Sequence, residues 1–238
     1  MKRNTVILFA AIMLATSSCT TVTPEQQIDS IRNYAASADL TVKPAGVDQL
    51  TIDLMEKGRI KDIWTVEGPE GVNLLAEIPG NKKSTRTILL SSCMDDAVAC
   101  AAAANIIAAL KSLKGKRADA IRAVFYQSGE DSLKLSGLRT IGQLAQEEGD
   151  EYYFNIELSS MADARDGIFV LNEPMHIFSK IDEVITPYLA PIGQYGFENI
   201  EEKNTDWPIR ANIYKFKVSE SNLANDISAT AAFIYLMD

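Results

Sequence analysis

The sequence predicts an α/β protein with a mixed, largely parallel central sheet and helices on both of its faces. Three observations lead there. From Thr87 onward, segments of strand character alternate with segments whose apolar residues recur every three or four positions, the order that builds a helix-covered parallel sheet. Two β-rich runs bounded by Gly and Pro come before that alternation and read as a hairpin. The 238 residues, less an apolar leader, suit one domain with a sizeable core, and no repeat, low-complexity tract or interdomain linker divides them.

Taken in chain order, "EQQIDSIRNYAASAD" (25–39) and "VDQLTIDLMEKGRI" (47–60) are amphipathic helices separated by the break "VKPAG". "IWTVEG" and "GVNLLAEIPG" form the hairpin, and "NKKSTR" turns the chain into the sheet. Strand "TILLSS" is followed by a helix from about Ala97 to Leu113, strand "AIRAVFYQ", helix "DSLKLSGLRTIGQLAQEE" and strands "YYFNIEL" and "GIFVLN". Helix "IFSKIDEVITPYL", strand "ANIYKFKV" and closing helix "NLANDISATAAFIYLM" complete the chain. The four alanines Ala101 to Ala104 suit close packing of a helix on a sheet.

The N-terminus has a separate logic. Lys2 and Arg3 precede the apolar run Val6 to Ala15, and "TSSC" follows. This is the layout of a secretory signal over residues 1–18, too short to span a bilayer as a folded helix. The apolar run, small residues and Cys19 resemble the lipobox of bacterial lipoproteins, with Thr16 where an aliphatic residue is usual. The resemblance implies lipid attachment at Cys19, a polar tether over 19–27 and a domain over 28–238, anchored to the membrane of the bacterial envelope on its periplasmic or surface side. Cys93 and Cys100 remain, too few for a disulfide framework. With Lys plus Arg at 23 and Asp plus Glu at 32, the net charge of −9 disfavours a nucleic-acid partner.

Chemistry is expected at the C-terminal strand ends, where ligands of such sheets usually sit. Asp95 and Asp96 follow "ILLSS", Glu130 and Asp131 follow "AVFYQSG", and Glu157 lies inside "FNIEL". Five carboxylates meeting in one cleft would repel, so either their pKa values rise or a cation neutralises them. Each acid also has a plain structural use. Asp95 and Asp96 stand where a helix cap belongs, Asp131 and Ser132 can cap the following helix, and Glu157 can be an ordinary polar position.

The segments "NLLAEIPG", "TILLSSCMDD", "IRAVFYQSGEDSLKLSGLRTI", "FNIELSSM" and "NTDWPIRANI" stand in the order and spacing of the di-zinc aminopeptidases. From Leu74 to the C-terminus the chain resembles the zinc-dependent exopeptidases, which include bacterial leucyl aminopeptidase and the glutaminyl cyclases. The resemblance implies that Glu130 falls at the general-base position, Asp131 at a carboxylate ligand and Glu157 where an Asp ligand is usual. It also exposes losses. Aligned from the strand, Cys93 stands where a ligand histidine is expected. Counted back from the following helix instead, Met94 stands where an Asp should bridge two metals, with Asp95 and Asp96 just after it, so either way histidine and bridging Asp are not both present. Lys217 or a neighbour replaces the last histidine. His176, the only histidine in the chain, lies at the start of another helix.

A zinc pair needs about four protein ligands on each ion, imidazoles among them, and an open position for water. The expectation is therefore a degenerate relative with no metal or other cofactor, in which Glu130 marks a vestigial base. Cys93, Asp95, Asp96, Asp131, Glu157 and Trp207 would line an old cleft retained to bind a peptide, an amino acid or a partner. The alternative is an active metal-dependent aminopeptidase using Cys93, Asp95, Asp131 and Glu157 as zinc ligands, with Glu130 as base. A third reading is a calcium or magnesium site on the acidic oxygens.

Overall fold

The computed structural model describes residues 22–81, 86–114, 117–129, 135–161, 167–200, 209 and 211–238. Helices α1 (Pro24–Ser37) and α2 (Val47–Glu56) lead into the hairpin β1 (Asp62–Gly68) and β2 (Gly71–Ile78). Then follow β3 (Arg86–Cys93), α3 (Ala97–Ser112), β4 (Ala120–Tyr126), α4 (Ser136–Glu148), β5 (Glu151–Met161) and β6 (Ile168–Leu171). Helix α5 (Met175–Leu189), β7 (Gly196–Asn199), β8 (Asn212–Ser219), a short 3-10 turn and α6 (Leu223–Met237) end the chain.

The sheet among these residues has the order β1-β2-β4-β3-β5-β8-β6-β7. Its centre, β4-β3-β5-β8, is parallel, and the hairpin joins it antiparallel through β2 and β4. The expected mixed, largely parallel architecture is present, with one strand that the sequence reading did not contain: β7, "GFEN", which pairs parallel with β6. Four residues with Gly at one end and Asn at the other offer no period to read.

Side-chain alternation divides the sheet into two faces. Ile88 and Leu90 of β3, Ala123 and Phe125 of β4, Phe154 and Ile156 of β5 and Tyr214 and Phe216 of β8 enter the larger core with α1, α2, α3, α5 and α6. Leu75, Leu89, Val124 and Tyr126 enter a smaller core under Leu138 and Ile141 of α4. Helices thus cover both faces, unequally. Helix α3 lies at the centre of the larger core, and Ala102 and Ala103 have no exposed surface, which fits the close packing expected of the alanine run.

Helix α1 starts at Pro24, inside the stretch read as a tether. Thr23 and Gln26 form a reciprocal capping box and Pro24 takes the first helical position, where its missing N–H costs nothing. Gln27 is buried and its amide donates to the Lys114 carbonyl. The last four residues of 19–27 therefore belong to the fold. Among the described residues no helix is long and apolar enough to cross a membrane.

Candidate functional site at the strand ends

Strand β3 exits toward α3 on the larger-core side, while its parallel neighbour β4 exits toward α4 on the other side. Adjacent strands whose connections diverge leave a crevice at their C-terminal ends. Cys93, Met94, Asp95, Asp96, Gln127 and Ser128 stand at these two strand ends. Close approach at the α4 end is possible because residue 137 is glycine: a Cβ there would lie 2.3 Å from Asn73 Oδ1 and 2.7 Å from the backbone N and O of Gln127. Asn73 Oδ1 accepts the Gln127 N–H at 2.9 Å, which fixes the exit of β4.

Asp96 is fully committed. Its Oδ1 accepts the Ala99 N–H at 2.9 Å and caps α3, and its Oδ2 accepts the Ser160 N–H of β5 at 2.6 Å. One carboxylate therefore caps a helix and braces two strand ends. Asp95 departs from the capping role expected of it, because a helix start has one cap position and Asp96 holds it. The Asp95 carboxylate instead accepts the Ser128 hydroxyl from the loop after β4. Met94 is buried, its N–H donates to the Tyr126 carbonyl at 2.8 Å, and its sulfur accepts from Gln127 Nε2 at 3.2 Å.

Cys93 is half-buried at the end of β3. Burial pushes its thiol above the ordinary value, and the Asp95 and Asp96 charges add to that, against the opposing hydrogen bonds from the Asp95 N–H and from Ser128. The thiol is neutral at pH 7. Cys100 is pushed up to about 12, again chiefly by burial.

Glu157 does not join Asp95 and Asp96. It lies on the smaller-core face of β5, opposite Ser91 of β3 and Lys215 of β8. Burial raises its pKa, with the Lys215 ammonium and a hydrogen bond from Tyr126 working the other way. Because the folded-state value exceeds the unfolded one, this carboxyl favours the fold fully below the unfolded value of about 4.3. That contribution disappears as pH rises through the raised value. Glu157→Gln keeps the Tyr126 bond without the charge. Urea titrations are expected to show the variant gaining on the parent as pH goes from 4.5 to 7.5; a difference that stays flat, or that moves toward the parent, would contradict the assignment.

The donors among the described residues do not assemble a zinc pair. Among the described residues no three His, Cys, Asp or Glu side chains come together as a metal site. Asp96 is held by two backbone N–H groups, and Glu157 lies within β5, opposite Ser91 and Lys215. Glu130, Asp131, Ser132, Trp207 and Cys19 lie outside the described residues. His176 is exposed in the first turn of α5, as the sequence suggested, and Lys217 is exposed on β8.

The sequence reading missed the partners that hold these acids. Ser160 and Ser128 take Asp96 and Asp95, and a run of Ser near strand ends gives no sign of which acid it will meet. It also missed Asp226, fully buried in the first turn of α6. Its Oδ1 accepts from Tyr195 at 2.8 Å and Asn222 at 3.2 Å, and its Oδ2 accepts the Ser219 N–H at 2.7 Å. An acid inside the first turn of an apolar helix is the signal that was available.

The sequence matches no protein-family model and no curated protein. Solved structures do match. The LapA aminopeptidase of Legionella pneumophila aligns at a TM-score of 0.58 and 14% identity over 90% of this chain and 72% of its own. A protein described as a Zn-dependent exopeptidase from Bacteroides vulgatus aligns at 0.53 and 16% over 87% and 95%. A leucine aminopeptidase precursor from Bacteroides thetaiotaomicron aligns at 0.52 and 12% over 90% and 97%. Similarity at these identities concerns architecture, and it agrees with strand order, crevice and helix placement: the chain has the zinc-exopeptidase-like fold.

Proposed function

We propose that this chain is an envelope lipoprotein, anchored through Cys19, whose zinc-exopeptidase-like domain binds a peptide, an amino acid or a partner near the strand ends without hydrolysing it. The commitment of Asp96 carries this reading. An acid that caps α3 and holds the Ser160 N–H acts as a structural brace just after Met94, the residue that stands where a metal-bridging carboxylate would be expected. Cys93 in the position of an imidazole supports it, because the nitrogen ligand expected there is missing. Without a metal to lower the pKa of water, Glu130 has no activated nucleophile to generate.

The purified protein is expected to carry no stoichiometric zinc. It should give no turnover of aminoacyl-anilides with added zinc, cobalt or manganese. Robust turnover that Glu130→Gln abolishes would overturn the proposal and establish the active aminopeptidase instead.

A further inference from the structure

Helix α4 packs on β1, β2 and β4 and leaves the far half of its sheet face without a described helix. There β5, β8 and β6 enclose a cavity of about 360 Å³ lined by Met161, Ile168, Val170, Glu157, Lys215 and Lys217, with Ser159 and Gly167. The volume lies within the range of small-molecule sites, roughly 300–1,000 Å³. The wall is mostly apolar, and Ile168 on it keeps 46% of its surface exposed.

Its charges have a sign. Lys215 stands opposite Glu157 in the β5–β8 register and offsets it, while Lys217, two residues on, stands opposite Ser159. Among the described residues neither ammonium is held in an ion pair. The cavity therefore has one positive charge in surplus, on a chain whose net charge is −9. A cationic ligand would meet two ammonium groups against one carboxylate, whereas an anion could take Lys217 beside an apolar wall.

We propose that this cavity binds a carboxylate carried on a compact apolar body, with the apolar part against Met161, Ile168 and Val170 and the carboxylate at Lys217. The proposal rests on the non-hydrolytic reading above and specifies the ligand class for it. Two sources share the chemistry: a free medium-chain acyl acid and the apolar C-terminal residue of a peptide.

Calorimetric titration of the purified protein separates them, with octanoate for the first, N-acetyl-leucine for the second, and octylamine and leucinamide as probes without a carboxylate. Saturable one-to-one binding of octanoate alone assigns the acyl acid, of N-acetyl-leucine alone the chain terminus, and of both the shared chemistry. The amines are expected to bind at least about tenfold more weakly. Lys217→Gln, at an exposed position, should weaken the acid about tenfold or more and leave the ligand-free melting temperature unchanged. Ile168→Asn should weaken it through the apolar wall. The proposal is overturned if neither acid saturates by about 10 mM, if the amines bind equally well, or if Lys217→Gln binds like the parent. Anilide turnover would sink the non-hydrolytic reading while leaving these titrations decisive for the cavity.

Discussion

Replacing Arg122 with alanine is expected to lower the unfolding free energy by about 3 kcal/mol, a large effect for a polar residue. Arg122 sits on β4 with 13% of its side chain exposed. Its Nη2 lies 2.8 Å from Glu77 Oε2 on β2 and its Nη1 2.7 Å from Asp150 Oδ2 in the turn before β5. Nη1 also donates to the Tyr152 hydroxyl at 2.9 Å, and the guanidinium carbon lies 5.3 Å from the Trp64 ring centre and 5.8 Å from that of Tyr152. One side chain thus ties β1, β2, β4 and β5 together at the end of the sheet opposite the crevice. Removing it strands two carboxylates that keep only 21% and 30% of their side-chain surface, which sets the estimate at the lower end of what breaking a buried pair costs. Arg122→Lys is expected to recover less than half, because an ammonium cannot reach Glu77 and Asp150 together or lie flat between two rings. Urea unfolding at pH 7 measures both variants; a loss below about 1 kcal/mol for alanine would show that the acids rehydrate freely.

The central strands and helices were legible because their apolar periods are long and unambiguous. "TILLSS", "AIRAVFYQ" and the alanine-rich run after Asp96 each carry one period from end to end, and each element lies within a residue or two of where the period puts it. Short and chemically mixed pieces were not legible. β7 has four residues, and α1 begins inside a stretch read as a tether because a capping box, a local polar device, decided its start.

The site was legible in outline only. The sequence put Cys93, Asp95 and Asp96 at a strand-to-helix junction beside the end of a neighbouring strand, and they stand there. It could not say that the two acids divide their work, because their partners, Ser128 and Ser160, come from loops and strands 33 and 64 residues away. Nor could it separate Glu157 from them: Glu157 lies within β5 opposite Ser91, on the face of the smaller core, whereas Asp95 and Asp96 follow the end of β3.

The cavity of the aromatic layer gives the other large effect. Phe169→Ala is expected to cost about 3–5 kcal/mol. Phe169 is wholly buried on β6, with its ring centre 4.2 Å from Phe216 of β8, 4.9 Å from Phe233 of α6 and 5.5 Å from Phe197 of β7, all near parallel. Strand β6, between β8 and the edge strand β7, pairs with β8 at only Val170 and Lys215, so this stack is a main attachment of β6 and β7 to the body of the sheet. Truncation would leave a void enclosed by rings from three other elements, each rigid and each held by its own backbone, with little freedom to collapse. Phe169→Leu, which retains most of the apolar volume, should cost less than half as much. Phe197→Ala, at the partly exposed end of the stack, should cost less than the buried truncation. If hydrogen exchange in Phe169→Ala rises only in β6 and β7 while the central strands keep their protection, the edge opens as a unit of its own. Equal loss of protection across β3, β4 and β5 would mean that the aromatic layer supports the whole sheet, and the account of β6 and β7 as an attached edge would be wrong.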